Sequence, residues 1–459
     1  MLVKSFAISL LAAAANAVVA ADKVDALPDM ATFDTYAVYS GYLDVEGTSN
    51  SLHYMFVESQ NDPATDPLIL WFNGGPGCSS MLGWAQEHGP WIMHDGTDYW
   101  VPNPYSWNLK ANMLYLEAPA AVGYSVCGDP NGCYFDDVTQ ADENLKAILK
   151  WFDLYPEFQA NDFYISGESY AGVYVPYLSK WIYDFNQANI NDATVFKPNL
   201  TGFIVGNGCT NWTYDCNPPL VDVAFWHSLM SQELRAKMQA ANCDYGGLGM
   251  PNVTPLCEGY FTQMFTLIQR VDIYNIFGIC YGTNINPALD DILNWDKQTT
   301  EWKKLPAGER PKTFQEKYTP WVGPTEEMKK KYLSEGDEVI ISCDYDCSGL
   351  LTYLNRADVR TALHIKEEVV EYLECSGAAQ GFHYTKLPEC SQWIYEELLG
   401  KIRMMHYSGD VDGAVPTDGT EAWIASTGWK EVQPWTRWTY VNETIGNVNQ
   451  IAGYSTVYD

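Results

Sequence analysis

In "DFYISGESYAGVYVP", Asp162 to Pro176, a serine stands between small residues: Gly167-Glu168-Ser169-Tyr170-Ala171-Gly172. The apolar-aromatic run Phe163-Tyr164-Ile165 before it reads as a strand, and the residues after it suit a helix. A serine on a strand-to-helix turn is a candidate nucleophile, because a sharp elbow lifts its hydroxyl clear of both elements. Serine is also a common helix N-cap, so the motif alone is weak. A hydroxyl at its ordinary pKa needs a base, and the base needs an orienting acid.

Two further segments have residue types that suit this chemistry. "ILWFNGGPGCSS", Ile69 to Ser80, ends a strand-like run in glycines whose N–H groups no side chain crowds. Acyl transfer at an elbow serine needs two backbone donors for the oxyanion. One comes from the residue after the serine, here Tyr170, and the other from a glycine-rich loop after an earlier strand. An ordinary turn would use the same glycines. "YSGDVDGAVP", Tyr407 to Pro416, ends a late apolar run and has two aspartates, Asp410 and Asp412. In an elbow hydrolase the acid follows the serine in chain order.

These segments need a scaffold. Five short apolar runs end in Gly or Pro: "PLILWFNGGPG", "NMLYLEAP", "DFYISGES", "LTGFIVGNG" and "KIRMMHYSGD". Between some of them lie helical patterns. "TQADENLKAILKWFDLYP" carries apolar residues at helical spacing and stops at Pro156. The alternation predicts an α/β fold with a mainly parallel sheet covered by helices. From about Thr210 to Glu338 strand-like runs vanish and cysteines gather. This stretch is expected to be a helical, cysteine-rich insertion at the functional edge of the sheet.

The 459 residues, 47% of them hydrophobic, suffice for one large domain with an insertion. A net charge of −31 argues against nucleic acid as a partner and suits acidic surroundings or simple solubility. "MLVKSFAISLLAAAANAVVAADKV" has the charged start, short apolar core and small-residue site of a secretory signal peptide, residues 1–20, leaving 21–459 as the folded domain. No other run is long and apolar enough to span a bilayer. Twelve cysteines behind a signal peptide predict disulfides; spacing does not fix their connectivity, and a local pair such as Cys127 with Cys133 is a guess. No Cys-x-x-Cys spacing suggests a metal, and no cofactor motif is present. Asn199, Asn211, Asn252 and Asn442 head glycosylation sequons.

"NGGPGCSS", "GESYAGVYVP" and "SGDVDGAVP", in this order and spacing, closely resemble the serine carboxypeptidases. "LPDMATFDTYAVYSGYLDV", "NPYSWN" and "YLNRADVRTALHI" extend the likeness from about Ala26 to the end. The resemblance implies an α/β-hydrolase fold with a central mixed sheet and a helical insertion. It implies a secreted, lysosomal or vacuolar acid carboxypeptidase acting on peptide C-termini, with no cofactor. Ser169 would be the nucleophile, Asp412 the acid beside Asp410, and the Gly75 and Tyr170 N–H groups the oxyanion hole. Asn73, the Gly74 N–H, Glu87 and Glu168 would grip the substrate's terminal carboxylate. Close carboxyls share protons, so Glu87 and Glu168 would donate hydrogen bonds at acid pH. Leu82 and Gln86 would line the leaving-residue pocket, and Cys78 would be bridged to Cys343 or Cys347. The family's base is a histidine in a Gly-His-x-Val-Pro motif after the acid. The seven histidines, at 53, 88, 94, 227, 364, 383 and 406, all precede Asp412. The final "NVNQIAGYSTVYD" resembles the strand before that motif, so the family's last strand and helix are expected beyond Asp459. Relatives using the same triad for acyl transfer or lyase chemistry, and an inactive binding or protective protein, are the alternatives. No segment specifies an oligomeric state.

Overall fold

The computed structural model describes residues 20–30, 32–33, 35–94, 97–216, 219–243, 254–268, 271–278, 347–442 and 448–459. The expected signal peptide before residue 20, Asn252, Cys280, Cys343 and the part of the expected insertion from 279 to 338 lie outside them.

Seven strands form the central sheet: β1 (Val38–Asp44), β2 (Ser51–Val57), β3 (Leu68–Phe72), β6 (Asn112–Leu116), β8 (Phe163–Ser169), β9 (Leu200–Gly208) and β11 (Arg403–Tyr407). Two-residue strands β4 (Trp91–Ile92) and β5 (Val101–Pro102) pair with each other, as do β7 (Cys133–Asp136) and β10 (Phe382–Thr385). The central order is β1-β2-β6-β3-β8-β9-β11. β1, β2 and β6 run antiparallel to their neighbours at one side. From β6 onward every pair is parallel. The five runs singled out in the sequence are β3, β6, β8, β9 and β11, and they make up this parallel part.

Their continuous hydrophobicity has a simple cause. Successive residues of a strand point to opposite faces, and in β3, β6, β8 and β9 both faces are largely covered, while the edge strand β11 leaves Arg403 and Met405 exposed. Leu68, Leu70, Phe72, Leu114 and Leu116 face a core containing Ala141, Ile148, Trp151 and Val173. Trp71, Met113 and Tyr115 face a second core with Trp84, Leu350 and Tyr353. Helices α1 (Asp137–Leu154) and α2 (Ala171–Ala188) cover the first face. Asp136 caps α1 by accepting from the N–H groups of Val138 and Thr139, and Thr139 returns a hydrogen bond in a capping box.

After β9 come α3 (Leu220–Trp226), α4 (Gln232–Ala240) and α5 (Pro255–Ile268), with no β-strand among the described residues of 210–278. Leu220, Met230, Leu234, Phe261 and Met264 give this segment its own small core, on which Ala414 also packs. The Gly413 N–H donates to Ile273 O at 2.7 Å, and the Ile276 N–H to Val411 O at 3.0 Å. The insertion is thereby tied to the loop that carries Asp412.

Cys127–Cys133 is bridged as expected, and Cys209–Cys216 and Cys243–Cys257 are two further local bridges. The expectation for Cys78 is corrected: its partner is Cys375, 297 residues away, not Cys343 or Cys347. The two chain segments already run side by side, with the Ser79 N–H donating to Glu374 O and the Ser376 N–H to Gly77 O, both at 2.8 Å. Such contact brings the two Cα atoms within bridging reach. Cys390 is a buried thiol. Strands β12 (Glu431–Asn442) and β13 (Val448–Tyr458) form a hairpin that pairs within itself.

Candidate active site

β8 delivers Ser169, and α2 begins two residues later. Ser169 has φ +58°, a left-handed conformation that costs a serine roughly 1 kcal/mol or more. Surrounding structure holds it there. The Cys209 N–H donates to Ser169 O at 2.9 Å, and the Val173 N–H to Tyr170 O at 2.8 Å. The Tyr170 hydroxyl donates to the buried Asp137 carboxylate at 2.7 Å, which Tyr384 Oη and the Leu387 N–H also approach at 2.8 Å.

The loop after β3 lies directly over this elbow. A Cβ on Gly74 would stand 2.4 Å from the Tyr170 backbone nitrogen and 2.9 Å from Ser169 Cβ, so only glycine fits. Gly75 has φ +109°, which also calls for glycine. The two backbone segments expected to supply oxyanion donors are thus in contact beside Ser169. Cys78–Cys375 anchors the far end of the loop.

Asn73 is 4% exposed, and its orientation is fixed by its oxygen. Oδ1 accepts from Trp71 Nε1 at 2.8 Å and from the Gly83 N–H at 3.0 Å, both groups that can only donate. Nδ2 therefore points the other way, and donates to Glu87 Oε1 at 2.8 Å and Glu168 Oε1 at 2.9 Å. Glu87 ends a π-helical turn, Gly83–Glu87, whose closing bond runs from the His88 N–H to Gly83 O. Glu168 is the residue before Ser169 on β8. The two carboxyls hydrogen-bond each other. Burial pushes the Glu87 carboxyl up to about 7, and burial together with the charges of Glu87 and Asp412 pushes Glu168 well above the usual range. Glu87 keeps 29% of its side chain exposed, so a ligand can reach it. Of the residues expected in the leaving-residue pocket, Leu82 is buried in the second core and Gln86 is half-buried.

Asp412 lies in the loop after β11, two strands from β8. Its Oδ1 accepts from the Ala414 N–H at 2.8 Å and its Oδ2 from the Val415 N–H at 3.0 Å. Burial raises it to about 6. Sequence reasoning did not pick out Asn207, which organises this loop: its amide donates to Ser408 Oγ, Gly409 O and Val415 O and accepts from the Gly409 N–H. Trp71, which orients Asn73, was also missed. It lies two residues before Asn73 at the end of the same strand, and that spacing was the available signal. Asp410 is exposed.

No histidine hydrogen-bonds Ser169 among the described residues. His53 bridges Ser40 Oγ and Glu117, each at 2.8 Å. His406 faces Tyr395 Oη at 3.2 Å, and burial lowers it to about 3. His364 meets Ser40 O and His227 meets Val223 O, each at 3.0 Å, while His383 stacks on Tyr134 and His94 is exposed. His88 lies beside Glu87. Among the described residues no cluster of three His, Cys, Asp or Glu could hold a metal, and no helix is long and apolar enough to cross a membrane. Asn199 is exposed, whereas the Asn211 amide donates to Gln392 Oε1 at 2.6 Å. The side chain of Asn442 lies outside the described set.

The serine carboxypeptidase profile matches residues 28–459. Serine carboxypeptidase-like 35 of Arabidopsis thaliana is 34% identical over 90% of this chain and 81% of its own length. The lysosomal protective protein of Mus musculus is 33% identical over 90% and 83%, and serine carboxypeptidase 1 of Hordeum vulgare 33% over 92% and 83%. In fold, the chain matches a prohormone-processing carboxypeptidase of Saccharomyces cerevisiae, with TM-score 0.63, 17% identity, and 93% and 85% of the two chains covered. The fold is the α/β-hydrolase type, and the chain belongs to the serine carboxypeptidase family.

Proposed function

We propose that this chain is an acid serine carboxypeptidase that releases C-terminal residues through an acyl-enzyme on Ser169. The observation that carries the reading is Asn73, whose amide is held between the Glu87 and Glu168 carboxyls next to the serine elbow. A substrate carboxylate meets donors there only if the pair is protonated, which confines the grip to acid pH. In the proposed reaction the Ser169 hydroxyl adds to the last peptide carbonyl, and the Gly75 and Tyr170 N–H groups take the developing oxyanion. The carbonyl re-forms as the terminal residue leaves, and water then hydrolyses the acyl-enzyme. The Ser169 proton passes to a general base, which returns it to the departing amine; Asp412 would be the acid that orients that base. Peptide or protein C-termini are the substrates, and the secretory pathway, outside the cell or in a lysosome or vacuole, is the setting.

The test uses a blocked depsipeptide, in which the scissile bond is an ester. Release of the C-terminal hydroxy acid, abolished by Ser169→Ala, is expected. Transfer of the acyl group to an added alcohol in preference to water would indicate an acyltransferase. No Ser169-dependent reaction at all would overturn the proposal.

A further inference from the structure

His88 adjoins Glu87, and the chemistry above makes no use of it. Its side chain is 6% exposed. The ring stacks on Trp107 with centroids 4.3 Å apart, meets Trp71 edge-on at 4.2 Å, and lies parallel to Tyr115 at 5.6 Å. Nδ1 is 3.2 Å from Tyr115 Oη. Nε2 is buried without a hydrogen-bond partner and faces Glu87 Oε2, 4.0 Å away. Glu87 Oε1 is taken by Asn73. The carboxyl is therefore approached by Asn73 at one oxygen and by His88 at the other.

Burial in this aromatic box lowers His88 to about 3, so the imidazole is neutral wherever the enzyme would work. Two neutral tautomers remain. With hydrogen on Nδ1, the ring donates to Tyr115 Oη. The buried phenol hydrogen then has no acceptor among the described residues, and, once Glu87 is ionised, a lone pair on Nε2 faces its carboxylate oxygen. With hydrogen on Nε2, Tyr115 donates to Nδ1 and the Nε2–H dipole points at Glu87. The second arrangement satisfies the phenol and opposes no like partial charges.

We propose that His88, fixed by Tyr115 as the Nε2–H tautomer, is a positioning residue that favours the ionised form of Glu87 and so sets the alkaline limit of carboxylate binding. The inference rests on the carboxylate-grip reading above. The other titratable groups around the pair are Glu168 on β8, Tyr115 on β6, Tyr407 on β11 and Asp412 in the loop after it. Each of these is neutral or negative. The Asn73 amide and the hydrogen bond from the Glu168 carboxyl already favour ionised Glu87, and the His88 N–H is a further favourable dipole, aimed at the other carboxylate oxygen.

The experiment measures calorimetric binding of an N-acyl amino acid, and of its amide, from about pH 5 to about pH 8. The parent should prefer the acid and lose that preference at an alkaline midpoint. His88→Leu should move the midpoint up by about half a unit to one unit, since the anion loses its dipole. Tyr115→Phe should move it the same way by freeing the tautomer, and His88→Gln, which keeps an N–H near the same place, should bring it back toward the parent. The ¹⁵N shifts of the His88 ring report the tautomer directly in the unmutated protein, whatever the fate of the variants. A parent that prefers the acid, with a midpoint that His88→Leu leaves in place or lowers, overturns the inference alone. So does hydrogen on Nδ1. A parent that binds acid and amide equally overturns the grip reading and this inference with it.

Discussion

In the proposed carboxylate grip, Asn73 sets which groups face the ligand. Trp71 Nε1 and the Gly83 N–H occupy its oxygen, so its two amide hydrogens must serve Glu87 and Glu168. If the pair grips a carboxylate through shared protons, binding fades as pH rises through about 7, where Glu87 ionises. Replacing both by Gln keeps donors at every pH. The double variant Glu87→Gln, Glu168→Gln should therefore show a KM for free-acid substrates that is nearly flat with pH, where the parent's rises. A double variant that follows the parent's curve would rule out proton sharing. Ser169 could be singled out from its own strand-to-helix motif, whereas Asn73, Glu87, Glu168 and Asp412 were assigned through the resemblance to the serine carboxypeptidases, Glu87 outside any quoted motif. His88 was not, because its box is assembled from Trp71, Trp107 and Tyr115, which stand on three separate segments.

At the scale of elements, the site is a meeting of strand ends. β3 and β8 are parallel neighbours, so the loop after one and the elbow of the other emerge side by side. Gly74→Ala would drive a methyl group against the Tyr170 nitrogen. The loop must then lift away, and kcat should fall at least tenfold, since an oxyanion donor displaced by even ~1 Å loses most of its effect. An unchanged kcat would show that the loop supplies no donor. Cys78–Cys375 pins the same loop. Cys375→Ser should cost about 2–5 kcal/mol in denaturant unfolding, and a loss well under 1 kcal/mol would mean that the backbone contacts at Gly77 and Ser79 suffice. β3, β6, β8 and β9 could be read from sequence because their faces are largely buried, whereas the edge strand β11 leaves Arg403 and Met405 exposed. β1 and β2 could not be read as apolar runs: Ser40 and His53 are fully buried in them and satisfied by each other and by Glu117. The Cys78 partner was misassigned because sequence spacing carries no information about which distant segments fold together.

For the whole molecule, charge and the raised carboxyls act in the same direction. Glu87, Glu168 and Asp412 bind protons more tightly when folded than in an unfolded chain. The folded state therefore holds more protons between the ordinary carboxylate range and about pH 7, and stability falls as pH rises across that window. The net charge of −31 adds self-repulsion in the same sense. The Tm should be higher near pH 5 than near pH 8, by several degrees. A Tm that rises toward pH 8 would contradict the raised carboxyls. Among the described residues none of the seven histidines hydrogen-bonds Ser169. If no general base serves Ser169, fluorophosphonate should label it slowly, at the residual ~10³–10⁴-fold over water that an oxyanion hole and binding supply. Rapid labelling, lost in Ser169→Ala, would show that one of the seven reaches the serine. In the proposed reaction, protonated Glu87 and Glu168 read the substrate's free C-terminal carboxylate. The most direct measurement compares kcat/KM for a blocked depsipeptide ending in a free carboxylate with that for the same compound as its C-terminal amide, on either side of about pH 7. The preference for the acid should be about a hundredfold near pH 5, the worth of two charge-assisted hydrogen bonds, shrinking toward none near pH 8. Equal rates for acid and amide near pH 5, or a preference that grows as pH rises, would contradict it.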